Sequence, residues 1–249
     1  RVVPGMKTPL NIPEGRVIDF VLVRESTEGL FHTQGKGTVT EDYAEETLRL
    51  TRRTTTKVCD YTFRLAQDRK AAGHMGRVTS VDKANVFRAF AFWRDIFDEV
   101  AKEYPDLTAD HAYVDAMALW FVLKPWDWDV MVTENMFGDI LSDLGAGLMG
   151  GLGMAPSADI GDDHAVFQPC HGSAPDIAGQ GIANPFAMIL SAGMMMDWLG
   201  RRHDAPQMIE DARRVQSAVD ACLAAGETTG DLDGTLDTRG AAAAVIARL

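Results

Sequence analysis

Short Val-rich runs recur along the chain, "VIDFVLVRE" at 17–25, "GRVTSVDKAN" at 76–85 and "WDVMVTE" at 128–134, separated by longer stretches with apolar residues at helical spacing. Runs of this length, bounded by Gly or charged residues, read as buried strands. Between them, residues 42–71, with Tyr43, Leu48, Leu50, Val58, Tyr61 and Leu65 and a closing Gly73, predict one helix. Phe87, Phe90, Trp93, Phe97 and Val100 predict an amphipathic helix over 86–103, ended by Pro105. "DAMALWFVLK" predicts a further helix halted by Pro125, and others are expected near 185–199, 206–225 and 238–248. "EGLFHTQGKGTVTED" reads as a Gly-rich loop or hairpin arm, and "GGLGMAPSADIG" as a Gly-rich loop. Strands interleaved with helices make this an α/β chain. The joint at Gly150 and Gly151 is the expected boundary between a segment 1–150 and a segment 151–249.

The formal charge of −12 disfavours generic binding to nucleic acid or anionic membranes. Cys59, Cys170 and Cys222 are widely spaced, with neither metal-ligand nor disulfide-framework spacing, which fits a reducing, cytoplasmic setting. The longest apolar run, "FAMILSAGMMMDWLG", is broken by Asp197 and is too short to span a bilayer. No signal peptide is visible. The opening "RVVPG" reads as the middle of a domain, so a leading part of the protein is expected upstream.

"NMFGDILSDLGAGLMGG" (135–151) sets Asp139 and Asp143 four residues apart among Ile140, Leu141 and Leu144. The apolar neighbours argue for burial, and buried carboxylates need compensation. At this spacing on a helix both project from one face, with Cβ atoms roughly 5–6 Å apart. They can therefore share a cation, and oxygen-only ligands point to Mg²⁺ or Mn²⁺. A plain polar stripe, or acids favoured by the helix dipole, remains the simpler alternative. "GAGLMG" formally matches G-x-G-x-x-G. Its glycines follow a helix rather than a strand, so it reads as a chance match.

Lys83, beside Asp82 and Asn85, is either a solvated surface lysine or a base held near a metal. Asp115, in "YVDAMALW", is either an N-cap or a third metal ligand. "CHGSAPDIAGQGIANP" (170–185) is dense in small residues, Gly and Pro. It is either a structural loop or one that brings backbone N–H groups to a ligand, with one Asp for the hydroxyls of a ribose.

Taken together, "VLVRESTEG", "VTSVDKANV", "YVDAMA", "VTENMFGDILSDLGAGLMGGLGMAPSA" and "HGSAPDIAGQGIANP" occur in the order and spacing of a known family. The chain resembles the isocitrate and 3-isopropylmalate dehydrogenases over most of residues 18–200, with wording nearest 3-isopropylmalate dehydrogenase. The resemblance implies the family's two-domain α/β fold, which is not a true Rossmann fold. Residues 1–150 would carry the dimer interface and the substrate and metal residues, and 151–249 part of the cofactor-binding domain. Arg24 would hold a substrate carboxylate, and Lys83 would contact the substrate and take the proton from its 2-hydroxyl. Asp139 and Asp143, with Asp115 of the partner subunit, would bind Mg²⁺ or Mn²⁺ in a homodimer, Asp115 also serving catalysis. Asn85 would lie near the nicotinamide. His171, Gly172, Ser173, Ala174, Asp176, Ile177 and Asn184 would line the adenosine half of the cofactor. Asp176 and Ile177 stand where NADP-dependent relatives carry a basic or aromatic pair, which implies NAD.

The chain departs from the family in three ways. The family's leading segment, which supplies two more substrate arginines and the substrate-choosing contacts, is missing. Phe31 stands where the family has the tyrosine that protonates the enolate, with His32 as an adjacent substitute acid. Gln168 stands where relatives usually carry Glu. The expected activity is NAD- and metal-dependent oxidation, with decarboxylation, of a malate-like 2-hydroxyacid such as 3-isopropylmalate. Tartrate or malate oxidation, or a non-catalytic regulatory family member, are the alternatives.

Overall fold

The computed structural model describes residues 1, 2, 6 and 8–249, so part of the opening "RVVPG" lies outside the described residues. The chain divides into two compact units: Glu14–Leu144, and Gly145–Leu249 together with Arg1–Pro13.

In the first unit the elements run β1 (Val21–Arg24), β2 (Thr38–Val39), β3 (Ala44–Glu45), α1 (Arg52–Ala71), β4 (Arg77–Asp82) and α2 (Arg88–Ala101). They continue with β5 (Thr108–Tyr113), α3 (Val114–Leu123), β6 (Val130–Thr133) and α4 (Asn135–Leu148). Four strands form one sheet in the order β1-β6-β4-β5, and every pairing in it is parallel. Helical crossovers such as α2 and α3 are what a parallel sheet requires. Val78, Val130 and Val132 bury against Cys59, Phe63 and Ala66 of α1 and Trp93, Ile96 and Phe97 of α2. By strand alternation Met131, also fully buried, points to the opposite face. α3 buries Met117 and Phe121, the latter ring 4.9 Å from that of Phe20.

The sheet places the carboxyl ends of its strands, and with them Arg24, Asp82, Tyr113 and Thr133, along one edge. Ligand-contacting side chains in parallel α/β sheets collect at that edge.

Two sequence expectations are corrected in this unit. The helix expected from residue 42 begins only at Arg52, because Thr51 caps it by accepting the Thr54 N–H and residues 42–51 hold the β2–β3 hairpin arm. β5 was not anticipated. It is an edge strand, mostly exposed, so its sequence "TADHAY" lacks the apolar run of a central strand.

The second unit holds β7 (Pro156–Ile160), β8 (Ala165–Pro169), α5 (Phe186–Arg202), α6 (Pro206–Ala224) and α7 (Thr238–Ile246). "GGLGMAPSADIG", expected as a loop, instead runs into β7, which pairs antiparallel with β8. The three helices match the expected segments, and their buried Phe186, Leu190, Val219, Cys222 and Val245 form the unit's core. Among the described residues no helix is long and apolar enough to cross a membrane.

Candidate active site

Arg24 is the last residue of β1, and its guanidinium is held in a fixed direction. Nε and NH2 both donate to Asn135 Oδ1, at 2.9 and 2.7 Å, and NH1 donates to Asp139 Oδ1 at 2.6 Å. Asn135 in turn donates from Nδ2 to the Glu28 carbonyl at 3.0 Å, tying the start of α4 to the loop after β1. The aliphatic stem of Arg24 lies across α4 at Gly138, where an added Cβ would come within 2.5 Å of Arg24 Cγ. A glycine at that turn is therefore the condition for Arg24 to reach Asp139. Asn135 and Gly138 were not singled out from the sequence. Their signal, a polar residue and a glycine opening an apolar helix, has meaning only once β1 and α4 are neighbours.

The loop after β1 is organised around buried acids. Both Glu25 oxygens accept from Thr27 and Glu28, including the Glu28 N–H at 2.9 Å. Glu28 accepts from the Thr51 N–H and hydroxyl, each at 2.7 Å, and from the Thr54 hydroxyl at 3.0 Å. Burial would raise the Glu28 carboxyl, but these hydrogen bonds outweigh it and hold the group below the ordinary glutamate range. Phe31 lies 5.5 Å beneath the Arg24 guanidinium, in cation–π contact. The position that lacks a hydroxyl is thus directly beside Arg24. Neighbouring His32 lies with Nδ1 3.4 Å from Arg49 NH2.

Lys83 follows β4 and is not a freely solvated lysine. Its Nζ donates to Asp115 Oδ1 at 2.5 Å, and it lies 5.8 Å over the Tyr113 ring. That hydrogen bond holds the Asp115 carboxyl below the ordinary aspartate range. Asp115 is not an N-cap: Tyr113 occupies that position in α3 and makes no side-chain cap. The backbone around Lys83 is pinned from below. Fully buried Asp82 accepts from Arg94 Nε at 3.0 Å, Arg94 NH2 at 2.7 Å and the Ala84 N–H at 2.9 Å. Arg94 also stacks over Tyr113 at 5.2 Å. Asn85 is exposed in the same turn.

The burial expected for Asp139 and Asp143 is overturned. Both are exposed, the Asp139 side chain at 55%, and Ile140 between them is 60% exposed. Phe137 and Leu141 bury the helix on its other side, so the two aspartates and Ile140 share an outward face. Their compensation is water and Arg24 rather than enclosure. Within one chain, and among the described residues, no group of three His, Cys, Asp or Glu is disposed to hold a metal ion. Asp115 is paired with Lys83, and Asp139 with Arg24. The donor chemistry of Asp139 and Asp143, two exposed carboxylates one turn apart, fits two ligands of a hard divalent cation. Gly145 and Gly147 lie inside α4, so "GAGLMG" is no phosphate-binding turn.

In the second unit His171, Gly172, Ser173, Ala174 and Asp176 are exposed, and Ile177 is half-buried. Ala174 adopts a left-handed conformation before the short helical turn Pro175–Ile177. Asn184 donates to Asp231 Oδ2 at 3.0 Å and accepts the Phe186 N–H at 2.9 Å, fixing the loop to the start of α5. Gln168 sits on β8, opposite Ser157 and exposed.

A family model described as isocitrate/isopropylmalate dehydrogenase matches residues 2–245. The 3-isopropylmalate/3-methylmalate dehydrogenase of Methanocaldococcus jannaschii is 48% identical over 226 residues, covering 89% of this chain and 64% of that protein. The 3-isopropylmalate dehydrogenase of Bacillus subtilis is 44% identical over 220 residues, covering 86% and 57% respectively. The chain thus spans less than two thirds of the length of either relative. The crystal structure of isocitrate dehydrogenase from Methylococcus capsulatus is similar at a TM-score of 0.85 and 39% identity, covering 99% of this chain and 70% of that one.

Proposed function

The chain belongs to the isocitrate/isopropylmalate dehydrogenase family, and from that premise we propose that the full-length protein oxidises a malate-like 2-hydroxyacid such as 3-isopropylmalate, with NAD as hydride acceptor. The observation that carries this reading is the Arg24 arrangement. A guanidinium aimed by Asn135 beside two exposed carboxylates offers one place for a substrate carboxylate and an adjacent place for a cation.

Asp139 and Asp143, with Asp115 of the partner subunit, would hold Mg²⁺ or Mn²⁺, which when bound supplies Lewis-acid polarisation of the reacting oxygen. Arg24 binds the carboxylate through its guanidinium N–H groups. Lys83 accepts the 2-hydroxyl proton at Nζ, which requires it to leave its present contact with Asp115. Asp82 and Arg94 keep the Lys83 backbone fixed while that side chain moves. Asn85 serves the nicotinamide. The loop from His171 to Asn184 serves the adenosine, where the Asp176 carboxylate accepts from ribose hydroxyls and repels a 2′-phosphate.

The reading requires a homodimer, because one chain keeps Lys83 with Asp115 and Arg24 with Asp139. Exposed Leu119, Val122 and Leu123 on α3 and Ile140 on α4 are apolar surface for a second copy. The wide spacing of Cys59, Cys170 and Cys222 fits a cytoplasmic setting.

Phe31 against Arg24 favours a second reading, a family member that oxidises but protonates the product poorly, or one that no longer turns over. Full-length protein with Mn²⁺, NAD⁺ and a panel of 3-substituted malates, tartrate and malate tests both. NADH formation with one of them supports catalysis. Silence across the panel, together with no Mn²⁺ binding in the presence of substrate, selects the non-catalytic reading.

A further inference from the structure

Glu134, the residue before α4, is fully enclosed yet only half of its carboxyl is used. Oε1 accepts the Phe137 N–H at 2.8 Å, closing the first turn of the helix. Among the described residues the buried Oε2 has no hydrogen-bond partner, and it is pressed against Gly29, where an added Cβ would come within 2.7 Å. The charged groups facing Glu134 are Arg24 at the end of β1 and Glu25 in the loop that follows. Glu25 is itself buried, and its oxygens are taken by Thr27 and Glu28. The Glu28 carboxylate is turned instead toward Thr51, which caps α1, and Thr54 in its first turn.

A capping role alone would be met by Gln, which keeps the acceptor and avoids burying an ionisable group. The acid therefore calls for an account beyond the cap. Its sequence neighbour Asn135 aims Arg24 and holds the Glu28 carbonyl, so Glu134 lies beneath the joint between α4 and the Arg24 loop.

Building on the substrate-binding reading of Arg24, we propose that Glu134 is a positioning residue: it holds its proton while Arg24 takes the substrate carboxylate, and loss of that proton releases the Arg24 clamp. An ionised Glu134 would repel the charge of the likewise buried Glu25, forcing the loop off α4. It would also draw Arg24 inward, in competition with Asn135 and with the substrate. Burial pushes the Glu134 carboxyl above the ordinary glutamate range, against hydrogen bonds from the Phe137 and Met136 backbone, and Glu25 adds to the rise.

The test compares full-length wild type with Glu134→Gln by NADH formation between about pH 6 and pH 9 and by thermal unfolding from about pH 4 to pH 9. For wild type, the KM for the hydroxyacid should climb about tenfold toward the alkaline end with little change in kcat, as expected for one pKa unit of coupling. In E134Q the KM should no longer climb. The folded state keeps a proton that the unfolded chain gives up. Wild-type stability should therefore fall as pH rises from the ordinary glutamate value through the folded one, and E134Q should lack that fall.

A wild-type KM flat with pH, or a Gln variant that climbs as wild type does, overturns the proposal. If no hydroxyacid is oxidised, the substrate reading fails, and the unfolding comparison alone then judges the proton: superimposable pH profiles overturn it. Should E134Q not fold, infrared spectra of wild type decide. A protonated-carboxyl C=O band at neutral pH that vanishes in alkali supports the proposal, and its absence overturns it.

Discussion

An added Cβ at Gly138 would meet Arg24 Cγ at 2.5 Å and Arg24 Cβ at 2.7 Å, so Gly138→Ala sets two effects against each other. Alanine favours the helix by about 1 kcal/mol over glycine. Arg24 Cβ is fixed by the β1 backbone, however, and no rotamer change relieves that contact, so overpacking of about 1–3 kcal/mol should lower the melting temperature. The same methyl group displaces the Arg24 stem from α4, and the guanidinium loses its alignment with Asn135 Oδ1. Substrate KM should rise roughly tenfold or more, the scale of one charge-assisted hydrogen bond, alongside the lowered melting temperature. A lowered melting temperature with KM unchanged would mean that Gly138 serves the fold rather than the site.

Phe31 gives a second prediction at this scale, because its ring already lies under Arg24. Phe31→Tyr places a hydroxyl there, and decarboxylated product per NADH should increase with an overall gain of about 10²-fold if protonation limits turnover. Product analysis by mass spectrometry reads it. Asp139 and Asp143 stand out by their i,i+4 spacing in an apolar helix, Lys83 and Asp115 by their places in short motifs, and Arg24 through the family resemblance. Asn135, Gly138 and Arg94 do not. Their roles depend on partners in other elements, Asn135 on Arg24 of β1 and Arg94 on Asp82 of β4.

At the scale of elements, α1 shows where periodicity misleads. Tyr43, Leu48 and Leu50 continue the helical spacing upstream of Arg52, yet Tyr43 is exposed and its neighbours pair as a strand. The stop is local: Thr51 is extended, caps Thr54 with its side chain, and is itself held by Glu28 from the loop after β1. One residue thus starts α1 and anchors the Arg24 loop. Thr51→Ala removes the cap and one partner of a buried carboxylate. Stability should drop by about 1–2 kcal/mol in denaturant melts.

The pH dependence of that loss has a defined sign. Glu28 has a lowered folded-state pKa, so its contribution is present above the unfolded value and disappears as pH falls through the folded one. Wild type and T51A should therefore draw closer in acid, leaving the loss of the Thr54 cap, which does not titrate. The central strands were legible because burial on both faces writes them as Val-rich runs. β5 and β7 were not, since exposure leaves β5 polar and Gly and Pro beside β7 read as loop.

For the molecule as a whole, one chain carries two half-sites that it does not join. Arg24 is held with Asp139, and Lys83 with Asp115. If a working site takes its first pair from one protomer and its second from the other, two dead variants should rescue each other. Lys83→Ala spoils one half-site and Asp139→Asn the other, and each homodimer then has no intact site. In a hybrid dimer one site combines the intact Arg24–Asp139 half of the K83A chain with the intact Lys83–Asp115 half of the D139N chain, while the second site carries both lesions. Random re-association makes half of all dimers hybrids with one good site of two, so activity should return to about a quarter of wild type. Ile140→Asp, placing a charge on the exposed apolar face of α4, should abolish both that rescue and the dimer on a sizing column. No recovery in a mixture shown to contain hybrids would mean that each chain closes its own site and that the Lys83–Asp115 pair is not donated to a partner.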